Sequence, residues 1–273
     1  MTSNTKIVEL QGPLPGKSVV LLAGVHGNEI CGVRAFDELI PQLSIESGSV
    51  LFIYANLEAI KQNKRLVEYN LNRCFLKEQP VAIQSSLEGK TALEIIPYLE
   101  RADAMLDIHA SPTPNSPPFV ICDEKWIGDC SIFDAEIASF NWDPFEPGST
   151  DYYMNLQNKP GFCIECGCSN DEKSIEIAKS AIKQFLVYTG NLSGKPLNRK
   201  NQKIVKIIEL YKNKFAPFRK SREFKDFEQL TEKTLIGKEG DIGVYGEQGQ
   251  IVLFVGDKEK LNEECFLTAR YQV

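Results

Sequence analysis

Histidine is almost missing from this sequence: its 273 residues include only His26 and His109. Long hydrophobic runs are missing as well, and no segment approaches the ~20 apolar residues that a membrane-spanning helix needs. The start of the chain, Met1 to Glu9, lacks the basic stretch and unbroken apolar core of a signal peptide. No membrane partner is expected, and the expected address is cytoplasmic. There is no internal repeat and no overall basic excess. A net charge of -6 and a pI of about 5.2 argue against a nucleic-acid partner.

A hydrophobic content of 42% in a chain of this length supplies a real core, with room for one large domain and a small one. Eight cysteines without an export signal read as reduced thiols rather than disulfides. Charge is unevenly spread: residues 1–194 hold 15 basic and 25 acidic side chains, whereas residues 195–273 hold 16 and 12. Between 195 and 225, eleven Lys or Arg face only Glu209 and Glu223. That stretch is either a solvated basic face or a surface for an anionic partner.

Lys17 to Val25 (KSVVLLAGV) reads as a buried strand feeding a helix over Asn28 to Leu43, where Ile30, Val33, Phe36, Leu39 and Ile40 recur near helical spacing. Val50 to Ala55 and Ala104 to Ile108 look like further core strands, with helical periodicity over Thr91 to Arg101 between them. Phe119 to Cys122 and Phe162 to Ile164 extend the series, and Ser169-Asn170-Asp171-Glu172 has the spacing of a capping box. Such alternation predicts an α/β fold with a mixed, mostly parallel sheet covered by helices. After Gly190 the texture turns polar and then β-rich. The predicted division is a catalytic domain over 1–194 and a small β-rich C-terminal domain over 195–273.

Both histidines are placed directly after predicted strands. In an open parallel sheet, ligands bind beyond the carboxyl ends of strands, so two strand-terminal imidazoles can converge. Glu29, three residues after His26 and expected in the first turn of the helix, can reach the same point. Two imidazoles and one carboxylate with a position left for water make a catalytic zinc set. Asp107 shares a strand face with His109 and either orients an imidazole or serves as a solvent-facing or capping residue. A metal-activated water needs a base, and Glu165 at the end of Phe162-Cys163-Ile164 is the candidate, its alternative being a structural pair with a nearby Arg. Cys163, Cys166 and Cys168 read as buried thiols rather than a second metal cluster. In the segment Arg65 to Arg73, Asn72 and Arg73 could grip a carboxylate while Arg65 polarises a carbonyl, unless these are ordinary surface arginines.

The strings GVHGNE at 24–29, NLNR at 70–73 with Arg65 before it, DIH at 107–109 and IECG at 164–167 resemble the succinylglutamate desuccinylase and aspartoacylase family, a branch of the zinc carboxypeptidase-like superfamily. The resemblance implies one Zn2+ on His26, Glu29 and His109, Glu165 as base, Arg65 on the carbonyl, and Asn72 with Arg73 on the α-carboxylate of an N-acyl amino acid. One position departs from it. Aspartoacylases are expected to carry an arginine ten residues before the catalytic glutamate, where this chain has Asn155 and its nearest cation is Lys159. Tyr152 and Tyr153 are expected near the pocket or in the core.

The expected activity is hydrolysis of an N-acyl amino acid. Its alternatives are a zinc carboxypeptidase acting on peptides or cell-wall fragments and a non-catalytic polyanion-binding protein. A homo-oligomer is left open.

Overall fold

Residues 19–23 are sealed from solvent on both sides, because Val19, Leu21 and Ala23 enter one core cluster and Val20 and Leu22 another. A strand with apolar residues on both faces needs helices above and below it. The computed structural model, which describes residues 3–272, has that layering. The chain runs through β1 (Lys6–Gln11), β2 (Leu14–Ala23), α1 (Cys31–Leu39), β3 (Ser47–Tyr54), α2 (Leu57–Gln62), α3 (Val81–Gln84) and α4 (Leu87–Arg101). It continues through β4 (Ala104–Ser111), β5 (Phe119–Cys122), β6 (Ile137–Phe140), α5 (Thr150–Leu156), β7 (Gly161–Cys168) and α6 (Lys173–Thr189). Helices α1 and α6 supply Phe36, Ala178, Ile182 and Phe185 to one face, and α4 supplies Ala92, Ile95 and Leu99 to the other.

Strands β3, β2, β4 and β7 lie side by side and parallel. β5 then joins β7 antiparallel, and β6 is parallel to β5. The remaining strands are β8 (Lys203–Lys212), β9 (Phe218–Lys220), β10 (Glu228–Gln229), β11 (Thr234–Glu239), β12 (Ile242–Gly246), β13 (Ile251–Leu253) and β14 (Glu264–Tyr271). β8 pairs with β6, and β14, β13 and β10 follow antiparallel, which extends the sheet to 11 strands. β12, β11 and β9 form a separate antiparallel sheet. The C-terminal β region therefore hydrogen-bonds directly onto the sheet that carries the site.

Three local expectations change. Helix α1 starts at Cys31 rather than Asn28, and a 3-10 turn over Ile40–Gln42 containing Pro41 replaces its predicted end. Residues 26–29 form a turn closed by the Glu29 amide donating to the His26 carbonyl at 3.1 Å, so Glu29 precedes the helix. No capping box forms at Ser169, because the Ser169 amide stays bonded to Ser111 and the helix opens only at Lys173. Asp171 accepts from the Lys173 amide instead, at 2.9 Å. Among the described residues no helix is long and apolar enough to cross a membrane.

Candidate active site

The parallel register sets β4 between β2 and β7, so the carboxyl end of β2, the end of β4 and the end of β7 meet along one rim. His26 lies in the turn after β2, whereas His109 lies inside β4, level with Glu165 on β7. That turn is tight. A Cβ on Gly27 would collide with the backbone of Ala59 and Ile60, so only glycine lets His26 and Glu29 fold back over β4.

Here the three predicted ligands come together. Nδ1 of His26 lies 2.8 Å from one Glu29 oxygen and Nδ1 of His109 lies 2.9 Å from the other. One ligand atom from each residue falls within 4.8 Å of the other two. All three side chains are buried, and the Glu29 carboxylate bridges the two imidazoles. Two buried imidazoles gathered around one carboxylate form a donor set that could hold a metal ion. The far nitrogens are held from behind. Nε2 of His26 meets Oδ1 of Asn70 at 3.0 Å, and Nε2 of His109 lies 3.0 Å from Oδ2 of Asp107, which Thr150 Oγ1 anchors at 2.6 Å. Asp107 is fully buried, so the solvent-facing alternative for it is removed. No other group of metal-ligating side chains gathers among the described residues, and all eight cysteines are free thiols.

These buried groups perturb one another. Burial lowers the pKa of His26. For His109 the cost of burial is outweighed by Asp107 and Glu29, which hold it well above the usual imidazole range. Despite burial, Glu29 is held well below the carboxylate range by the two imidazoles. Glu165 behaves oppositely. Burial, with the Glu29 charge adding to it, pushes its carboxyl up to about 8, and its Oε2 has no hydrogen-bond partner. A carboxyl poised near neutral pH is suited to taking and returning a proton. Because its folded value lies above the ordinary 4.5, its contribution to stability is complete below pH 4.5 and is lost as pH rises through about 8. Metal-free Glu165→Gln protein should therefore melt on the order of 5 °C above metal-free wild type at pH 9, with the two converging at pH 5. Parallel melting curves at both pH values would remove the perturbed carboxyl.

A cavity of about 410 Å³ opens over this rim, and Arg65, Asn72, Arg73 and Glu165 line it with the ligands. Arg65 Nη1 lies 2.8 Å from Glu29, and Asn72 Oδ1 is sealed and unpartnered. Arg73, expected to wait for a substrate carboxylate, is already engaged. Its guanidinium meets Glu146 at 2.7 Å and Glu264 at 3.7 Å. Tyr153 donates to Glu100, Lys159 to the Glu100 carbonyl and Asn155 to Asp143, and neither these three nor Tyr152 lines the cavity.

Sequence reading passed over Asn70, although it stands in the quoted NLNR string, and it passed over Glu146 and Glu264, which no local pattern connects to Arg73. It also missed Glu88. This fully buried carboxylate in the first turn of α4 accepts from the amides of Val67 at 2.7 Å and Tyr69 at 3.0 Å, and from Glu68 between them. The Glu68 carboxylate in turn accepts from the Leu87 amide at 2.6 Å. An irregular segment carrying Arg65, Asn70, Asn72 and Arg73 is thus clamped at its middle. Glu88→Ala would leave three amides of this segment without their acceptor and should cost about 1–3 kcal/mol of unfolding free energy, measured in urea. A loss within 0.5 kcal/mol, the scale of an ordinary surface change, would sink that account.

A family model described as the succinylglutamate desuccinylase/aspartoacylase catalytic domain matches residues 15–188. A probable aspartoacylase of Nostoc sp. is 28% identical over 213 residues, which is 71% of this chain and 70% of that protein. The succinylglutamate desuccinylase of Idiomarina loihiensis is 33% identical over 100 residues, covering 35% of this chain and only 29% of its own length. Among solved structures, the Vibrio cholerae succinylglutamate desuccinylase superposes with a TM-score of 0.80 at 15% identity, over 97% of this chain and 85% of that one. A succinylglutamate desuccinylase/aspartoacylase from Rhodobacter sphaeroides gives 0.73 at 17% identity, over 97% and 88%. These two share the fold at low identity, and the catalytic-domain match covers well over half the sequence. The chain belongs to the succinylglutamate desuccinylase/aspartoacylase family.

Proposed function

We propose that this protein is a zinc-dependent hydrolase that cleaves the amide bond of an N-acyl amino acid, with one ion on His26, Glu29 and His109. The observation that carries the reading is the register of β4 against β7, which sets Glu165 beside His109 on one cavity wall. A divalent cation held by His26, Glu29 and His109 would supply a water of lowered pKa and polarise a carbonyl. Glu165 takes a proton from the water and returns it to the leaving nitrogen, from a carboxyl oxygen that no other group occupies. Arg65, held at the rim by Glu29, faces the developing oxyanion. Asn72 lines the cavity beside Arg73 and helps it receive the substrate's α-carboxylate, for which Arg73 exchanges one of its two carboxylate partners.

Polyanion binding has less support. Within the basic stretch, Arg199 pairs with Asp134, Lys212 with Glu264, Arg219 with Glu259, Lys220 with Glu223 and Arg222 with Glu228. The test is release of a free amino acid from a panel of N-acyl amino acids and dipeptides by zinc-loaded protein. Release should stop on chelation and return with zinc. Cleavage confined to the dipeptides would favour a carboxypeptidase instead.

A further inference from the structure

The sheet register that joins the ligands to the base also decides what lies next to the base. His109 pairs with Glu165, and Glu165 pairs with Phe119 on β5, so the three side chains stand in a row on one sheet face. One step along, Asp107 pairs with Cys163 and Cys163 with Ile121. Both rows therefore turn apolar at β5, with Phe119 past Glu165 in the first and Ile121 past Cys163 in the second. Trp142 stacks on Phe119 with centroids 6.4 Å apart, and Phe254 approaches both rings at 6.2 and 6.3 Å. The indole N–H of Trp142 is already bonded to Ser139 at 2.9 Å, so it offers the cavity an apolar face. Ile121, Trp142, Leu210, Phe254 and Leu267 all line the cavity.

Phe254 is held there under strain. Its φ is 54°, a left-handed conformation that bulky residues rarely adopt, and its amide is bonded to Asp226 at 2.9 Å. Asp226 also accepts from Ser111, two residues past His109, at 3.1 Å. The aromatic wall is thus fastened to the strand that carries the ligand.

Charge gives the complementary argument. Apart from the ligands and the base, the lining acids are Glu146, Asp151 and Glu264, and beyond Arg65 the lining cations are Arg73 and Lys258. Arg73 is spoken for by two of those acids, and among the described residues Lys258, on the segment after β13, is the lining cation that no carboxylate pairs with. Asn155 and Lys159 bond outside the cavity. Beyond Arg65 the two lining cations are outnumbered by three lining acids, so a second substrate carboxylate would have Lys258 alone to meet it, whereas an apolar group would cover ring and aliphatic surface that is otherwise wet.

Resting on the deacylase reading, we infer that the subsite beside Glu165 takes an apolar group, so that the preferred substrates are N-acyl amino acids with an aromatic or aliphatic acyl chain or side chain rather than N-acyl dicarboxylic amino acids. Which end of the substrate fills it is read by comparing N-acetyl-L-phenylalanine and N-hexanoylglycine with N-acetylglycine on zinc-loaded protein. N-acetyl-L-aspartate, N-succinyl-L-glutamate and Nα-acetyl-L-lysine complete the panel. At least one apolar substrate should exceed N-acetylglycine and every charged substrate in kcat/KM by about tenfold or more, the discrimination an apolar pocket provides. In Trp142→Ala the ratio of that substrate to N-acetylglycine should fall about tenfold, a ratio that partial misfolding leaves unchanged. An acidic or cationic substrate turned over as fast as the apolar ones overturns this proposal alone, as does an unaltered ratio in Trp142→Ala. No turnover of any substrate by metal-replete protein overturns the deacylase reading and this proposal together.

Discussion

Glu165→Gln should lower kcat for amide hydrolysis by about 10²–10⁴-fold, the range a positioned general base supplies, while one equivalent of metal remains bound. Glutamine keeps the size of the side chain and one acceptor oxygen but cannot carry a proton between water and nitrogen. The effect belongs in kcat, because neither carboxyl oxygen of Glu165 is spent on gripping another group that KM would report. Its Oε2 is sealed and unpartnered, and burial has lifted the carboxyl to about 8. Turnover within a few-fold of wild type, with metal content confirmed, would remove Glu165 from the role of base.

His109→Ala should abolish stoichiometric metal and hydrolysis together. The buried Glu29 carboxylate stands between two imidazoles, and removing one leaves two donors where a catalytic site needs three. Asp107→Asn is the graded companion. It keeps the shape but weakens the acceptor that orients His109, so metal affinity should fall by about 10–100-fold while hydrolysis at saturating metal survives. Metal analysis after dialysis against a competing chelator ranks the three proteins. Full retention of zinc by His109→Ala would show that the ion sits elsewhere.

Much of this site could be read from the chain because its parts are local. His26, Gly27 and Glu29 fall within one tight turn, and Asp107 and His109 alternate onto one strand face, so spacing alone implied their shared direction. The strands themselves were legible because residues that are apolar on both faces form uninterrupted runs. Cap geometry was not. Glu29 lies before helix α1, and Ser169 caps nothing, because in both places hydrogen bonds to distant carbonyls or turn closure outweighed local preference.

The chain alone determined the inventory: two histidines, each adjoining an apolar run, a carboxylate three residues after one of them, and a glutamate closing another apolar run. Those relations are set by covalent spacing and the period of a strand. Tertiary structure decided everything that depends on neighbours in space. It placed β5 beside β7, so that apolar rings rather than charges adjoin the base, and it committed Arg73 to Glu146 and Glu264. It also buried Glu88 beneath a segment about twenty residues away in sequence. Strand order and long-range ion pairs follow from how whole layers pack, and no short string of residues encodes which distant partner will arrive.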